Sequence, residues 1–217
     1  MLDARLRQLI DGPLDRAGRW IARRGIGADQ VTLAGFGIGM LAAASIAFAA
    51  FKVGLLLIVL NRVSDGLDGA VARATRKTDR GAFLEISLDF AFYAAIPLAF
   101  AVADPPANAL AAAFLLAAFL ANGSAFLAFA VLAAKRQIES TAQGEKSLYY
   151  LAGLAEGGET IAVFLAFCLW PAGFPWLAGP FAMLCLVSAA ARIMLACKRL
   201  FDPVVPAGRP VNNDHSS

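Results

Sequence analysis

Four acidic side chains stand close together in the sequence, inside segments that are otherwise apolar enough to cross a membrane. They are Asp65, Asp68, Glu85 and Asp89. A carboxylate near the centre of a bilayer costs about 2.5–3.5 kcal/mol on insertion scales, so such residues are rarely left without a partner. A divalent cation would offset this cost and the mutual repulsion of the four groups. Because oxygen ligands suit Mg²⁺ or Mn²⁺ better than zinc or copper, the residues predict a magnesium or manganese site.

The spacing of the acids predicts that two antiparallel helices present them at one end. The first two are three residues apart and the last two are four apart, so each pair shares a helix face. The connection between the pairs, residues 73–80, is short and basic, so the two helices must be neighbours. Three glycines in this stretch allow a ligand or another helix to approach the backbone closely. They are Gly66, Gly69 and Gly81.

The acidic cluster is also compatible with two other interpretations. One is a buried network of ion pairs without chemistry, since Arg62 lies three residues before Asp65 on the same helix. The other is a cation transporter in which the four acids are ion ligands. Transporters usually contain internal repeats and helices broken at mid-membrane. Neither is evident in this sequence, and the acids lie toward one end of their segments.

Composition indicates a single-domain integral membrane protein. The chain has 217 residues, of which 59% are apolar and 16% charged, and its mean hydropathy is +0.66. Soluble domains contain about 25% charged residues. The net charge of +3 gives no basis for a nucleic-acid partner, and the one histidine, His215, lies in the tail. The three cysteines have irregular spacing and are expected to be packing residues.

The predicted fold is an all-α polytopic membrane protein with six transmembrane helices preceded by an N-terminal amphipathic interfacial helix. Residues 1–30 form the interfacial part, which we expect Gly12 and Pro13 to break into two pieces. Residues 31–201 form the membrane domain, with Thr32 as N-cap of its first segment. Residues 202–217 are polar and proline-rich and are expected to be disordered. The six apolar segments are about 32–51, 53–73, 82–103, 107–134, 156–172 and 177–198.

The distribution of basic residues predicts the orientation in the membrane. Sixteen of the nineteen Lys and Arg residues fall on one side of the predicted segments, whereas the opposite side contains only Lys52. By the positive-inside rule, both termini are cytoplasmic and the protein lies in the cytoplasmic (inner) membrane. The acids then face the cytoplasmic end, where water-soluble molecules have access to them.

The pattern D-x-x-D-G-x-x-A-R, followed after a gap by G-x-x-x-D-x-x-x-D, resembles the signature of the CDP-alcohol phosphotransferase (CDP-alcohol phosphatidyltransferase) family. The chain departs from it at Glu85, where the family has aspartate, and in a seven-residue gap after Arg73 that is one residue shorter than usual. Ala28 and Asp29 stand where members often have Pro-Asn. The matching positions are Asp65, Asp68, Gly69, Ala72, Arg73, Gly81 and Asp89.

The resemblance implies a metal-dependent transferase of phospholipid biosynthesis. Family members move the phosphoalcohol of a CDP-alcohol, often CDP-diacylglycerol, to an acceptor alcohol and release CMP. It further implies that Asp65, Asp68 and Glu85 bind two divalent cations and that Asp89 is a ligand and the general base. The family fold is a six-helix membrane domain and commonly a homodimer; the alanine-rich fourth segment suits a dimer seam or packing within one subunit. The implied CDP-alcohol contacts are Gly69, Ala72, Arg73, Thr78 and Gly81.

Three basic residues near the cytoplasmic ends of later segments are candidates for binding a phosphate on the acceptor. They are Lys135, Arg136 and Arg192. Alternatively, Lys135 and Arg136 serve only the positive-inside topology, and Arg192 extends to the membrane surface. The acceptor stays open among glycerol 3-phosphate, inositol or its phosphate, serine and a lipid alcohol. Prenyl-diphosphate transferases also use aspartates and Mg²⁺, but they are longer and have two separated Asp-rich motifs.

Overall fold

The computed structural model describes residues 2–135 and 157–201, with side chains given for residues 12–135 and 157–198. Every regular element in these ranges is helical. Arg136 and the predicted disordered tail, residues 202–217, lie outside the described residues. The helices are α1 (Leu2–Arg23), α2 (Ala28–Ala47), α3 (Phe51–Ala74), α4 (Asp79–Ala103), α5 (Pro105–Lys135), α6 (Gly157–Leu169) and α7 (Phe174–Phe201), with a 3₁₀ turn at Pro171–Gly173 between the last two.

Each of the six predicted apolar segments forms a helix, α2 to α7. Within the described ranges, four stretches are both long and apolar enough to cross a membrane: Ala28–Ala47, Asp79–Ala103, Pro105–Lys135 and Pro171–Lys198. The second segment, α3, contains five charged residues, and α6 has 13 residues in its described part. The all-α membrane fold is therefore confirmed, while the count of six crossings stays a prediction.

The largest side chains in the core of the bundle are phenylalanine rings. Phe100 stacks on Phe174 with ring centroids 4.7 Å apart, and Phe167 meets Phe174 edge-on at the same distance. Glycine allows the helices to approach one another: a Cβ on Gly39 of α2 would lie 2.7 Å from the Phe92 ring of α4. Helix α2 packs against both α3 and α4, and α5 packs against α4 and α7. This close packing fixes the ends of α2, α3 and α4 beside one another.

The expected role of Thr32 as an N-cap is wrong. Helix α2 begins four residues earlier, at Ala28, with Gly27 as its N-cap. The backbone N–H of Gly27 donates to the side-chain oxygen of Gln30 at 3.1 Å, which supports this earlier start. Thr32 therefore lies inside the helix, and its hydroxyl is available for a contact with another helix.

The expected break at Gly12 and Pro13 is also wrong, because α1 is one helix that contains Pro13. Tertiary packing directly after the proline accounts for the continuity. A Cβ on Gly66 of α3 would lie 3.0 Å from Leu14, and one on Gly18 would lie 2.7 Å from the Cβ of Ala70. Contacts on α3 thus stabilise the second half of α1. Its position on a membrane surface stays a prediction.

Candidate functional site

The four acids line a single open pocket between α2, α3 and α4, with an empty volume of about 300 Å³. Asp65 and Asp68 come from the second half of α3, and Glu85 and Asp89 come from the first half of α4. The short connection between these helices places both acidic pairs at the same end of a helical hairpin. The other lining residues are Thr32, Gly35, Phe36, Asn61, Arg62 and Leu88.

Asp68 is the most buried of the four acids, with 6% of its surface exposed. The Thr32 hydroxyl of α2 donates a hydrogen bond to Asp68 Oδ2 at 2.7 Å. A hydrogen bond to a charged acceptor contributes about 1.5–3 kcal/mol, so the carboxylate is held in one orientation. Helix α2 thereby becomes part of the site.

Arg62 connects the acids of the two helices. Its Nη2 donates to Asp89 Oδ1 at 3.1 Å, and its Nη1 lies 3.7 Å from Asp65 Oδ2. The guanidinium carbon lies 5.0 Å from the ring centroid of Phe92 and 5.9 Å from that of Tyr93, within the range of cation–π interactions. The sequence suggested only the pair with Asp65 on the same helix. The structure adds a contact with Asp89 across the helix interface.

Asn61 holds the side chain of Arg62 in place through two hydrogen bonds. Its amide oxygen accepts hydrogen bonds from Arg62 Nε at 2.9 Å and from Nη2 at 2.7 Å. Its amide nitrogen donates to the backbone oxygen of Gly35 on α2 at 2.8 Å. Asn61 is only 4% exposed, so its bonding groups are engaged inside the protein. The guanidinium is therefore held in place by a chain of contacts that begins at the backbone of α2.

Glu85 is the exposed acid of the pocket. In the part of the chain that the structure describes, no hydrogen bond or ion pair joins it to another side chain. It is also the position at which the sequence has glutamate where the family pattern has aspartate. Its longer side chain reaches the pocket from the more accessible side.

The donor set of the pocket fits a hard divalent cation, because all four acids offer carboxylate oxygens. Among the side chains that the structure describes, in residues 12–135 and 157–198, no three acidic, histidine or cysteine side chains are already arranged as a coordination cluster. Arg62 lies between two of the carboxylates, and Thr32 holds a third. The chemistry of the donor oxygens suits Mg²⁺ or Mn²⁺.

The residues expected to contact the CDP-alcohol lie beside the pocket rather than in its lining. Arg73 pairs with Asp15 of α1, through Nη2 at 2.8 Å and Nε at 3.2 Å from the same oxygen. Gly69 has only the Arg73 Nη1 atom near its missing side chain, at 3.5 Å, and Ala72 is half-buried on the same helix.

The start of α4 carries the remaining two of these residues. The Thr78 hydroxyl caps the helix by accepting a hydrogen bond from the Gly81 N–H at 3.0 Å. A Cβ on Gly81 would lie 3.2 Å from Asp29 Oδ1 of α2. Asp29 also pairs with Arg80, at 3.3 Å. The bare backbone at Gly81 thus borders the segment where the family often has Pro-Asn.

The two acceptor candidates that the structure describes, Lys135 and Arg192, are not among the residues that line the acidic pocket. Lys135 is exposed at the end of α5. The guanidinium carbon of Arg192 lies 5.2 Å from the ring centroid of Phe126, between α5 and α7. Neither residue lines the pocket that holds the acids. A role in binding the acceptor stays a prediction for both.

Two polar residues of the pocket, Thr32 and Asn61, had no assigned site role in the sequence interpretation. Asn61 offered a signal, since an amide inside an apolar helix four residues before Asp65 shares that residue's face. Thr32 offered none, because its contact with Asp68 joins positions 36 residues apart. Only the packing of α2 on α3 brings them together.

Comparison with known proteins gives a matching family and two relatives. A family model described as CDP-alcohol phosphatidyltransferase matches residues 26–194. The chain is 49% identical over 193 residues to the inner membrane protein YnjF of Escherichia coli (strain K12), covering 89% of this chain and 94% of that protein. It is 33% identical over 87 residues to the archaetidylinositol phosphate synthase of Pyrococcus horikoshii, covering 40% of this chain and 46% of that protein.

Proposed function

Because this chain belongs to the CDP-alcohol phosphatidyltransferase family, we propose that it transfers the phosphoalcohol of a CDP-alcohol, with CDP-diacylglycerol as the first candidate, to an acceptor alcohol. CMP is the other product. The family and the more distant archaeal relative support a transferase of phospholipid synthesis. The observation that carries the proposed site is that all four acids line one pocket.

The proposed chemistry assigns a role to each acid. Asp65, Asp68, Glu85 and Asp89 would hold two divalent cations, Mg²⁺ or Mn²⁺, which supply positive charge to the diphosphate. Asp89 accepts the proton of the acceptor hydroxyl. The acceptor oxygen forms a bond to the phosphorus that carries the alcohol. The bond from that phosphorus to the bridging oxygen breaks, and CMP leaves with the electron pair.

The proposed CDP-alcohol site lies next to the acids, at the connection between α3 and α4. Arg73 is suited to a phosphate because its guanidinium is about half exposed, with 48% of its side chain accessible. Gly69 and Gly81 leave backbone accessible, and Ala72 and Thr78 complete the set. The match of four of these five positions to the family pattern supports the assignment.

The proposed acceptor carries a phosphate. Arg192, Lys135 and Arg136 would provide its positive surroundings at the cytoplasmic side of α5 and α7. The archaeal relative is named for a product that contains inositol phosphate, which supports a phosphorylated acceptor. Glycerol 3-phosphate and an inositol phosphate are therefore the first alcohols to test.

The protein is an integral protein of the inner membrane, in agreement with the name of its Escherichia coli relative and with its long apolar helices. We propose that both termini are cytoplasmic, on the basis of the basic residues that surround the acidic end. A homodimer is also proposed, from the usual state of the family and the small residues of α5.

The function is tested with purified protein in liposomes that contain CDP-diacylglycerol and Mn²⁺. Each candidate acceptor is added separately, CMP is quantified, and the product lipid is identified by mass. We expect CMP release that depends on one phosphorylated acceptor. A cation flux across the same liposomes without CMP release would instead support the transporter interpretation.

A further inference from the structure

Arg62 pairs with two of the carboxylates that the proposed function assigns to divalent cations. It contacts Asp65 from its own helix and Asp89 from the neighbouring helix, at 3.7 and 3.1 Å. Its side chain is 20% exposed, so it is mostly withdrawn from water. One positive group therefore already neutralises carboxylates that the proposed function assigns to cations.

The position of Arg62 is built into the surrounding structure. Adjacent residues on a helix point in different directions, yet Arg62 bends toward Asn61 and donates to it twice. Asn61 in turn is held by the backbone of Gly35. Two aromatic rings of α4, Phe92 and Tyr93, lie near the guanidinium carbon. These contacts hold the guanidinium at a defined position in the pocket.

We propose that Arg62 is a positioning residue that holds Asp65 and Asp89 in the cation-free protein and is displaced from them when a divalent cation binds. Arg62 then sets the cation concentration at which the acids reorganise. Asn61 and the two rings retain the guanidinium close to the site after displacement. The inference rests on the proposed function only for the identity of the acids as cation ligands.

The proposal predicts that removing Arg62 strengthens cation binding. Removing a positive charge next to two carboxylates strengthens their attraction for another cation. Damage to the fold would instead weaken cation binding. Tighter binding in an Arg62 variant therefore separates displacement from a purely structural role.

The test is a titration of substrate-free, detergent-purified protein with Mn²⁺, followed by electron paramagnetic resonance of the free ion. Arg62→Gln should bind Mn²⁺ at least tenfold more tightly than the wild type, since the two carboxylates no longer have a positive charge beside them that competes with the ion. The matched control is Arg80→Gln, which removes a charge of a pair with Asp29 outside the pocket. It should retain the wild-type affinity.

Arg62→Lys covers the case in which Arg62→Gln does not fold. Lysine keeps the charge but cannot contact Asn61, Asp65 and Asp89 at the same time. Its Mn²⁺ affinity should lie between those of the wild type and the glutamine variant. An affinity equal to or weaker than wild type in whichever of the two variants folds would overturn the proposal, as would a wild-type protein that binds no Mn²⁺.

Parallel measurement of CMP release separates this inference from the proposed function. If Arg62→Gln binds Mn²⁺ more tightly while the wild type releases no CMP with any acceptor, the result supports the displacement and contradicts the transferase. CMP release by the wild type with unchanged Mn²⁺ affinity in the variant supports the transferase and contradicts the displacement.

Discussion

The hydrogen bond from Thr32 to Asp68 is the contact by which α2 enters the site. Thr32→Val keeps the shape of the side chain and removes the donor. We expect kcat/KM for CMP release to fall about tenfold to hundredfold, because a hydrogen bond to a charged group contributes about 1.5–3 kcal/mol.

The control for Thr32→Val is Thr75→Val, at the end of α3. The Thr75 hydroxyl donates only to the backbone oxygen of Val71, at 2.8 Å. This variant should retain activity close to that of the wild type. An equal loss of activity in the two variants would contradict a specific role of Thr32.

Glu85 is one methylene longer than the aspartate of the family pattern, so its carboxylate reaches about 1.5 Å further. The shorter connection before Gly81 offers a reason, since a shift of α4 would be compensated by the longer side chain. We expect Glu85→Asp to have lower CMP release or weaker cation affinity. A variant at least as active as the wild type would show that the two departures are unrelated.

Arg192 tests the proposed phosphate on the acceptor. Arg192→Gln should raise the acceptor KM by about tenfold or more, because charge-assisted hydrogen bonds contribute about 1.5–3 kcal/mol. The KM for the CDP-alcohol should change little. Kinetics across acceptor concentrations measure both values, and an unchanged acceptor KM would reject the assignment.

At the scale of residues, sequence reasoning identified the acids because burial of four charges in apolar segments has few explanations. It did not identify their partners in the protein. The contacts of Asp68 with Thr32 and of Asn61 with Gly35 join different helices, so they depend on packing that no local pattern specifies. Arg62 was interpreted within its own helix for the same reason.

At the scale of elements, the packing of α1 on α3 gives a test of the fold. A Cβ on Gly18 would lie 2.7 Å from the Cβ of Ala70 and 2.8 Å from its carbonyl carbon. Gly18→Ala should therefore destabilise the protein by about 1–3 kcal/mol through overpacking. The thermal midpoint of the detergent-purified protein measures the effect.

The comparison variant is Gly37→Ala inside α2, where an added Cβ has nothing within 4 Å. Alanine has a higher helix propensity than glycine by about 1 kcal/mol, so this variant should be unchanged or slightly more stable. Similar destabilisation by both substitutions would show that contact with α3 is not the cause.

Hydropathy located the helices well and their ends less well. Helices α2 and α4 begin at Ala28 and Asp79, a few residues before the apolar segments, and α7 continues to Phe201. The reason is that apolar runs mark the part of a helix inside the membrane, while polar end residues continue the same backbone. The continuity of α1 through Pro13 was missed because contacts with α3, not local propensity, stabilise it.

At the scale of the whole molecule, the acids and the basic residues that connect α3 to α4 share one end of the bundle. The acidic pocket adjoins the basic connection between α3 and α4, while Lys52 stands at the opposite end of α3. With this arrangement, the proposed nucleotide and phosphorylated acceptor would reach the pocket from the same side of the membrane. The predicted cytoplasmic orientation of both termini follows from the same charges.

The central claim is that the acidic pocket releases CMP from a CDP-alcohol, and Asp89→Asn tests it most directly. Its matched control is Asp104→Asn at the other end of α4, where the side chain accepts a hydrogen bond from the Ala107 N–H and does not line the acidic pocket. In liposomes with CDP-diacylglycerol, Mn²⁺ and the preferred acceptor, we expect Asp89→Asn to lower the rate of CMP release about 10²–10⁴-fold, the usual contribution of a general base. Asp104→Asn should match the wild type. Undiminished CMP release by Asp89→Asn, or wild-type release that persists in excess EDTA, would contradict the account.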